Sequence, residues 1–433
     1  MKKLTLFLLL STSFLVSKSD VEILGLRVYG NNDEYRPPIV GRSEVITIDF
    51  DVTTAHPPNL QIVFKHASKD WVVDENLFVN EPSKVMTDYL AYAAAPNAVY
   101  HYTYSYKNSF PNKRNRVEFV FSGNYKFYII DHDENDQVLA EGKFIVTDDL
   151  VTTSMSIANK YHPEFPPPLN QVNFITVNVG APNDYNVNDP NSLYHSDIKT
   201  VDIIQNWRIT QPFRIDLDDR NSETFVDDFM KPNKKFWIRN VPTANEYRRL
   251  DLSNATTYPN HQLAILKDGP DLSRFQWQGR PDANGASKLK PFIGANSDYL
   301  EVELRLRLAS PQTKKVYVVG GFNNWEVLPE YEMVFDTTSG LYVFRFWIRR
   351  GVYDYQYVLG DENSDGKIVN QDWLSLEGND WRTVNRYTAL VYYRDRRYGG
   401  FDRVVGVVRG RSPGGDEGRI TSFPEQSLGI PKK

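Results

Sequence analysis

Cysteine is absent from all 433 residues. That absence excludes disulfides, thiol catalysis and a lipid anchor on an N-terminal cysteine. Histidine is scarce, and its seven copies, at 56, 66, 101, 132, 162, 195 and 261, form no His-x-x-x-His or Glu-x-x-His pattern. With neither thiols nor paired imidazoles, a transition-metal centre has little to build on. An excess of positive charge is missing too, because 50 basic and 55 acidic residues leave a net charge of −5. Nucleic-acid binding asks for a basic face, so no nucleic-acid partner is expected. Past the N-terminus no stretch reaches the ~18 uninterrupted apolar residues of a membrane helix, and no membrane anchor is expected. Methionine is rare (5), whereas Tyr (26) and Phe (24) are plentiful, a bias that suits pleated sheets.

The N-terminus itself carries a signal. Lys2 and Lys3 precede the apolar run Leu4 to Val16, and Ser17-Lys18-Ser19 places small residues where a signal peptidase reads them. The run is too short to cross a bilayer, so residues 1–19 are expected to be a cleaved export signal.

The mature sequence alternates with period two. "EVITIDFDV" (44–52), "LQIVFKH" (60–66), "NYKFYIID" (124–131), "VNFITVNVG" (172–180), "YLEVELRLRL" (299–308) and "YTALVYYR" (387–394) are bounded by Pro, Asn, Asp or Gly. Short strands with one buried face have this pattern. Only "SKVMTDYLAYAAA" (83–95) admits a short helix. The expectation is an all-β array of tandem immunoglobulin-like sandwiches. Breaks in the pattern divide it at 20–148, 149–290 and 291–406, with a loose tail at 407–433. The second unit contains the Pro-rich "YHPEFPPPLNQ" (161–171), and the polar stretch 278–298 leads into the third.

Few residues point to chemistry. "DENSDGKIVNQD" sets Asp361, Asn363 and Asp365 at positions 1, 3 and 5, Gly366 at 6 and Asp372 at 12. That is the spacing of a calcium loop, in which short oxygen ligands converge around a glycine turn. Calcium would be a structural staple here; the other reading is an acidic hairpin tip, since the flanks look like strands. "GRSPG" (410–414) matches Gly-x-Ser-x-Gly, but no His follows His261 and the surroundings read as a linker. Nucleophile, base and orienting group cannot be named together, so an enzyme is not expected. A hydrolase would need a pocket with two opposed carboxylates.

"GGFNNWEV" (320–327) lies between two strand-like runs. With "SGLYVFRF" and "GVYDYQY" it resembles glycogen-binding modules of the early-set immunoglobulin type. In that resemblance Trp325 would stack on sugar, making a periplasmic or surface glycan-binding protein the alternative function. Gln356 stands where those modules carry a lysine, however, and Trp373 comes much later than their second tryptophan. Packing is favoured over a glycan platform for Trp325.

A longer series of words resembles another family. "KDW" (69–71), "YHYTYSYKNSFPN" (100–112), "FSGNYKFYIIDHDENDQVLAEGKFIV" (121–146), "LNQVNF" (169–174), "IIQNWR" (203–208), "NEYRRLDL" (245–252) and "NRYTALVYYRDRRYGGFDRVVG" (385–406) follow one another. In this order they are similar to the plug proteins of the type IX secretion system. The resemblance implies a periplasmic protein without catalytic residues or a required cofactor. It implies a partner as well, the giant outer-membrane translocon barrel called SprA or Sov, whose pore the plug would close from the periplasmic side at rest.

Overall fold

The computed structural model describes residues 21–412 apart from 113, 165, 168, 183–184, 187–188, 190, 220, 229–232, 275–281 and 290–293. The expected signal peptide and the tail beyond Ser412 lie outside the described residues. Among those described, every long element is a strand, and the few helical turns are 3-10 turns.

Residues 22–147 form the first sandwich. Its strands are β1 (Glu22–Gly30), β2 (Ile39–Gly41), β3 (Ile46–Thr53), β4 (Leu60–Ala67), β5 (Tyr92–Ala94), β6 (Tyr104–Phe110), β7 (Gly123–Asp131) and β8 (Gln137–Thr147). The sheet β1-β3-β6-β5 faces the sheet β2-β8-β7-β4. Between them lie Ile46, Ile48, Phe50 and Val52 of β3 with Ile62 and Phe64 of β4 and Phe127 of β7. These are the alternate apolar residues that the period-two pattern marks.

The helix expected over 83–95 does not form. That segment runs extended along the outer edge of β4, where the Phe64 N–H donates to the Val85 carbonyl at 2.7 Å and the Thr87 N–H to Ile62 at 3.0 Å. Satisfying an open strand edge with backbone bonds outweighs a weak local helix preference.

The second sandwich begins with β9 (Thr152–Tyr161), β10 (Gln171–Gly180), β11 (Ile198–Gln205), β12 (Phe213–Asp216), β13 (Thr224–Asp227) and β14 (Asn233–Pro242). The chain then leaves it to build a third unit from β15 (Arg248–Asp251), β16 (Ala264–Ile265), β17 (Asp271–Leu272), β18 (Ser287–Lys288), β19 (Tyr299–Arg307), β20 (Lys315–Gly320), β21 (Glu332–Asp336), β22 (Leu341–Arg349), β23 (Val352–Glu362) and β24 (Ile368–Asp372). It returns with β25 (Arg386–Asp395) and β26 (Phe401–Arg411), which pair beside β11 in the order β12-β11-β25-β26. The opposite sheet of this second unit is β13-β14-β10-β9.

The expected all-β array of sandwiches forms, with two of its units nested. The third unit is an insertion in the second, and the boundaries drawn at 290 and 406 both fail. Tyr387, Ala389 and Val391 of β25 fill the second core against Val201 and Ile203 of β11, a contact between distant stretches that alternation alone does not report. The polar stretch expected to lead into the third unit contributes β18, which pairs with β23, and the expected tail opens with the end of β26. The Pro-rich excursion lies between the paired strands β9 and β10, inside the second unit. In the third unit β21 pairs with both β20 and β22, so its two layers are continuous at that corner.

Candidate functional site

The calcium-loop residues do not converge. They sit on the β23–β24 hairpin, whose turn is closed by Asn363 Oδ1 accepting from the N–H groups of Asp365 (3.0 Å) and Lys367 (2.9 Å). Asp361 accepts from the Asn370 amide at 3.1 Å. Asp372 points into a separate turn, taking the N–H groups of Leu374 (3.0 Å) and Ser375 (2.9 Å). Asp365 is exposed. Each carboxylate or amide already serves a local turn, and among the described residues no three His, Asp or Glu side chains gather to hold a metal.

Trp325 is not a platform. Its relative exposure is 1 %, its indole Nε1 donates to the Gly285 carbonyl at 2.8 Å, and its ring lies 4.4 Å from that of Tyr247. A stacking surface needs an open ring face, and both flanks of this ring are occupied. The early-set word thus describes a packing corner, and the glycan role for Trp325 is corrected. Ser412 of "GRSPG" is equally buried, accepting from the Asn385 N–H and donating to the Thr383 carbonyl.

What the polar residues build instead is a set of seams. Between the first and third units, Asp51 of β3 accepts from the Tyr299 hydroxyl at 2.9 Å and from the Arg349 guanidinium at 3.0 Å. Burial raises the Asp51 carboxyl above its ordinary value against the pull of Arg349. Asp298 accepts from the N–H groups of Tyr100 and His101, and Lys143 pairs with Glu326 at 2.9 Å.

Between the first and second units, Ile39 and Ile145 meet Ile204, Ile209, Leu390 and Val404 in a shared apolar cluster. Arg403, 1 % exposed, reaches Asp148 at 2.8 Å and Asp395 at 3.2 Å. Between the second and third units, the Asn206 amide donates to the Tyr247 hydroxyl at 3.1 Å and to Asn385 at 2.8 Å. Arg208 lies over the ring of Trp373. Each unit therefore touches both others, and a cleft of about 420 Å³ remains where all three meet, lined by Leu26, Trp207, Phe322 and Trp347 among others.

A buried acidic group lies at the insertion point. Tyr247 donates its N–H to Asp282 at 2.6 Å, Val384 donates to Glu246, and Ala283 and Gly285 donate to Asp354. Burial, then the neighbouring Asp282, pushes the Glu246 carboxyl up to about 9. Asp354, 0 % exposed, is raised well above the usual range by burial and by Asp282. All three carboxyls, Glu246, Asp282 and Asp354, are buried.

Nothing in the sequence marked Asp51, Asp298 or Arg403 as seam residues. The nearest signal was the charge alternating with apolar residues in "ITIDFDV" (46–52), which reads as an ordinary solvated face.

The described residues thus form three sandwiches interlocked by buried seams. Residues 23–148, the first sandwich, match the family described as type 9 secretion system plug protein 1st domain. The chain carries a type IX secretion plug domain. The match bears out the resemblance read from the sequence, and it indicates an envelope location and an association with secretion components. Across nearly its whole length the chain is also similar to the crystal structure of a hypothetical protein from Parabacteroides merdae. That similarity has a TM-score of 0.70 at 20 % identity and covers 90 % of this chain and 97 % of the other. At this identity the likeness speaks for the fold alone. No curated protein matches this chain. Among the described residues no helix is long and apolar enough to cross a membrane.

Proposed function

We propose that this protein is a non-enzymatic periplasmic plug that binds the giant outer-membrane translocon barrel of the type IX system, of the SprA or Sov kind, and seals its pore at rest. The plug-domain match over residues 23–148 carries this reading. The interlocked units support it. A stopper for a wide barrel has to hold its shape across the opening, and three seams braced by buried pairs such as Asp51–Arg349 and Asp148–Arg403 resist bending. A plug of this kind would require no cofactor.

The test is a pull-down of the tagged, chromosomally expressed chain in mild detergent, with mass spectrometry of what accompanies it. One very large outer-membrane barrel in stoichiometric amount supports the plug. Recovery of the chain alone counts against it. Loss of the chain should also make the outer membrane leak to large hydrophilic antibiotics, and an unchanged permeability would remove the sealing role.

A further inference from the structure

Sheet edges are hazards that folded proteins shorten, charge, bend or cover. In the first two sandwiches the edges are managed in those ways with one exception. β2, β5, β12 and β13 have three or four residues each. The edge of β4 is covered by residues 85–87, and β1 is broken by a register shift between Leu24 and Arg27. The first half of β26 is met by the N–H groups of Asp148 and Leu150, which donate to Val404 and Val405. Its second half carries the charges of Arg409 and Arg411, and its Val407 carbonyl accepts from the Thr153 hydroxyl.

β9 is the exception. It is ten residues long, "TTSMSIANKY", and its one charge is Lys160 near the end. It pairs with β10 without a register shift over all ten positions, and among the described residues no strand lies on its other side. It contains no proline and no bulge. Alternate backbone N–H and C=O groups along that edge therefore face outward with no strand to take them.

The side chains say what kind of strand would fit. Thr152, Ser154, Ser156 and Ala158 are small and lie on the exposed face, leaving room for a close neighbour. Met155 and Ile157 turn the other way, toward Gly410 of β26, and with Val408 they remain only partly covered at this flank of the second core. A neighbouring strand with apolar residues at every second position would complete their cover. Lys160 stands one residue before the end of β9, and Arg411 closes β26, which runs the same way beside it, so both charges suit an acidic residue at that end of the incoming strand.

We propose that β9 is a docking edge that accepts, by strand addition, an extended segment of the partner with apolar residues at alternate positions and a carboxylate at the Lys160 end. The proposal rests on the plug reading, with the translocon barrel as the source of that segment.

The cysteine-free sequence makes the test clean. Single variants Ser154→Cys, Ser156→Cys and Ala158→Cys, each carrying a benzophenone maleimide, are assembled in the full-length chain and photolysed in outer-membrane preparations. Ser222→Cys, beside the opposite edge of the same sheet, serves as the comparison. The expected result is cross-linking of the three β9 positions, but not of position 222, to one barrel subunit, at residues that step by two along a single segment. Hydrogen exchange on the purified complex is the second readout, and alternate β9 amides that exchange freely in the isolated chain should lose that exchange.

If the barrel co-purifies but β9 gives no cross-links, scattered cross-links or unchanged exchange, the docking edge is overturned while the plug stands. A cross-linked pair of identical chains overturns the choice of partner. Failure of the barrel to co-purify at all is the failure of the plug reading itself.

Discussion

The hydroxyl of Tyr299 donates to Asp51 at 2.9 Å across a separation of 248 residues, joining the start of the third unit to the middle of the first. Arg349 reaches the same carboxylate at 3.0 Å, so one acidic side chain on the polar face of β3 anchors two residues of the neighbouring unit. Asp51→Ala would leave the Arg349 guanidinium largely buried without its counter-charge, at a cost of about 3 kcal/mol. Tyr299→Phe removes one hydrogen bond and should cost about 1 kcal/mol. Urea unfolding of both variants checks the order. Equal costs would mean that the ion pair adds nothing beyond the hydroxyl.

Trp325→Ala removes a ring buried between Tyr247 and the Gly285 carbonyl, and should destabilise the chain by about 3–5 kcal/mol. Mobility in an amylopectin gel should be the same for wild type and variant. Retardation of the wild type that the variant loses would restore the sugar-binding role.

The β23–β24 hairpin closes through its own Asn363 turn, so EDTA should leave the melting temperature of the purified chain unchanged, and Asp365→Ala should do the same. A chelator-sensitive transition that added calcium reverses would show that the loop binds the ion after all.

The raised carboxyl of Glu246 makes stability depend on pH in a defined direction. Below the ordinary carboxyl value of 4.5 both folded and unfolded chains hold the proton. Between there and about 9 the unfolded chain releases it while the native chain keeps it, so stability falls as pH rises through this window and falls no further above it. One such proton corresponds to at most about 1.4 kcal/mol per pH unit. Glu246→Gln mimics the protonated group, so it should match wild type near pH 4 and be the more stable of the two at pH 8, as read by urea midpoints. Parallel curves for the two proteins would place the proton elsewhere.

The nested order predicts how truncation acts. A chain ended after Asn385 lacks β25, which supplies Tyr387, Ala389 and Val391 to the second core. That core should unfold although residues 152–242 are all present, while the first sandwich persists as a protease-resistant fragment. A fully protected second unit in such a fragment would contradict the topology.

Strand alternation, the all-β class and the end of the first sandwich near Thr147 were legible in the sequence, because a half-buried strand writes its inner face as every second apolar residue. The same code is silent about the outer face. Asp51, Asp298 and Asp354 carry no mark of their own in the sequence, yet each is buried in the fold. Trp325 read as a candidate sugar platform because its local word is shared with binding modules, and only its neighbours Tyr247 and Gly285, remote in sequence, settle that it packs.

The sequence by itself determined which segments become strands, and that no thiol chemistry takes part. Tertiary structure decided that β25 and β26 return to the second sheet, that the third unit is an insertion, and that polar faces become seams. Hydrophobic periodicity is a local property of a segment, whereas pairing across an insertion and burial against another unit depend on residues hundreds of positions away.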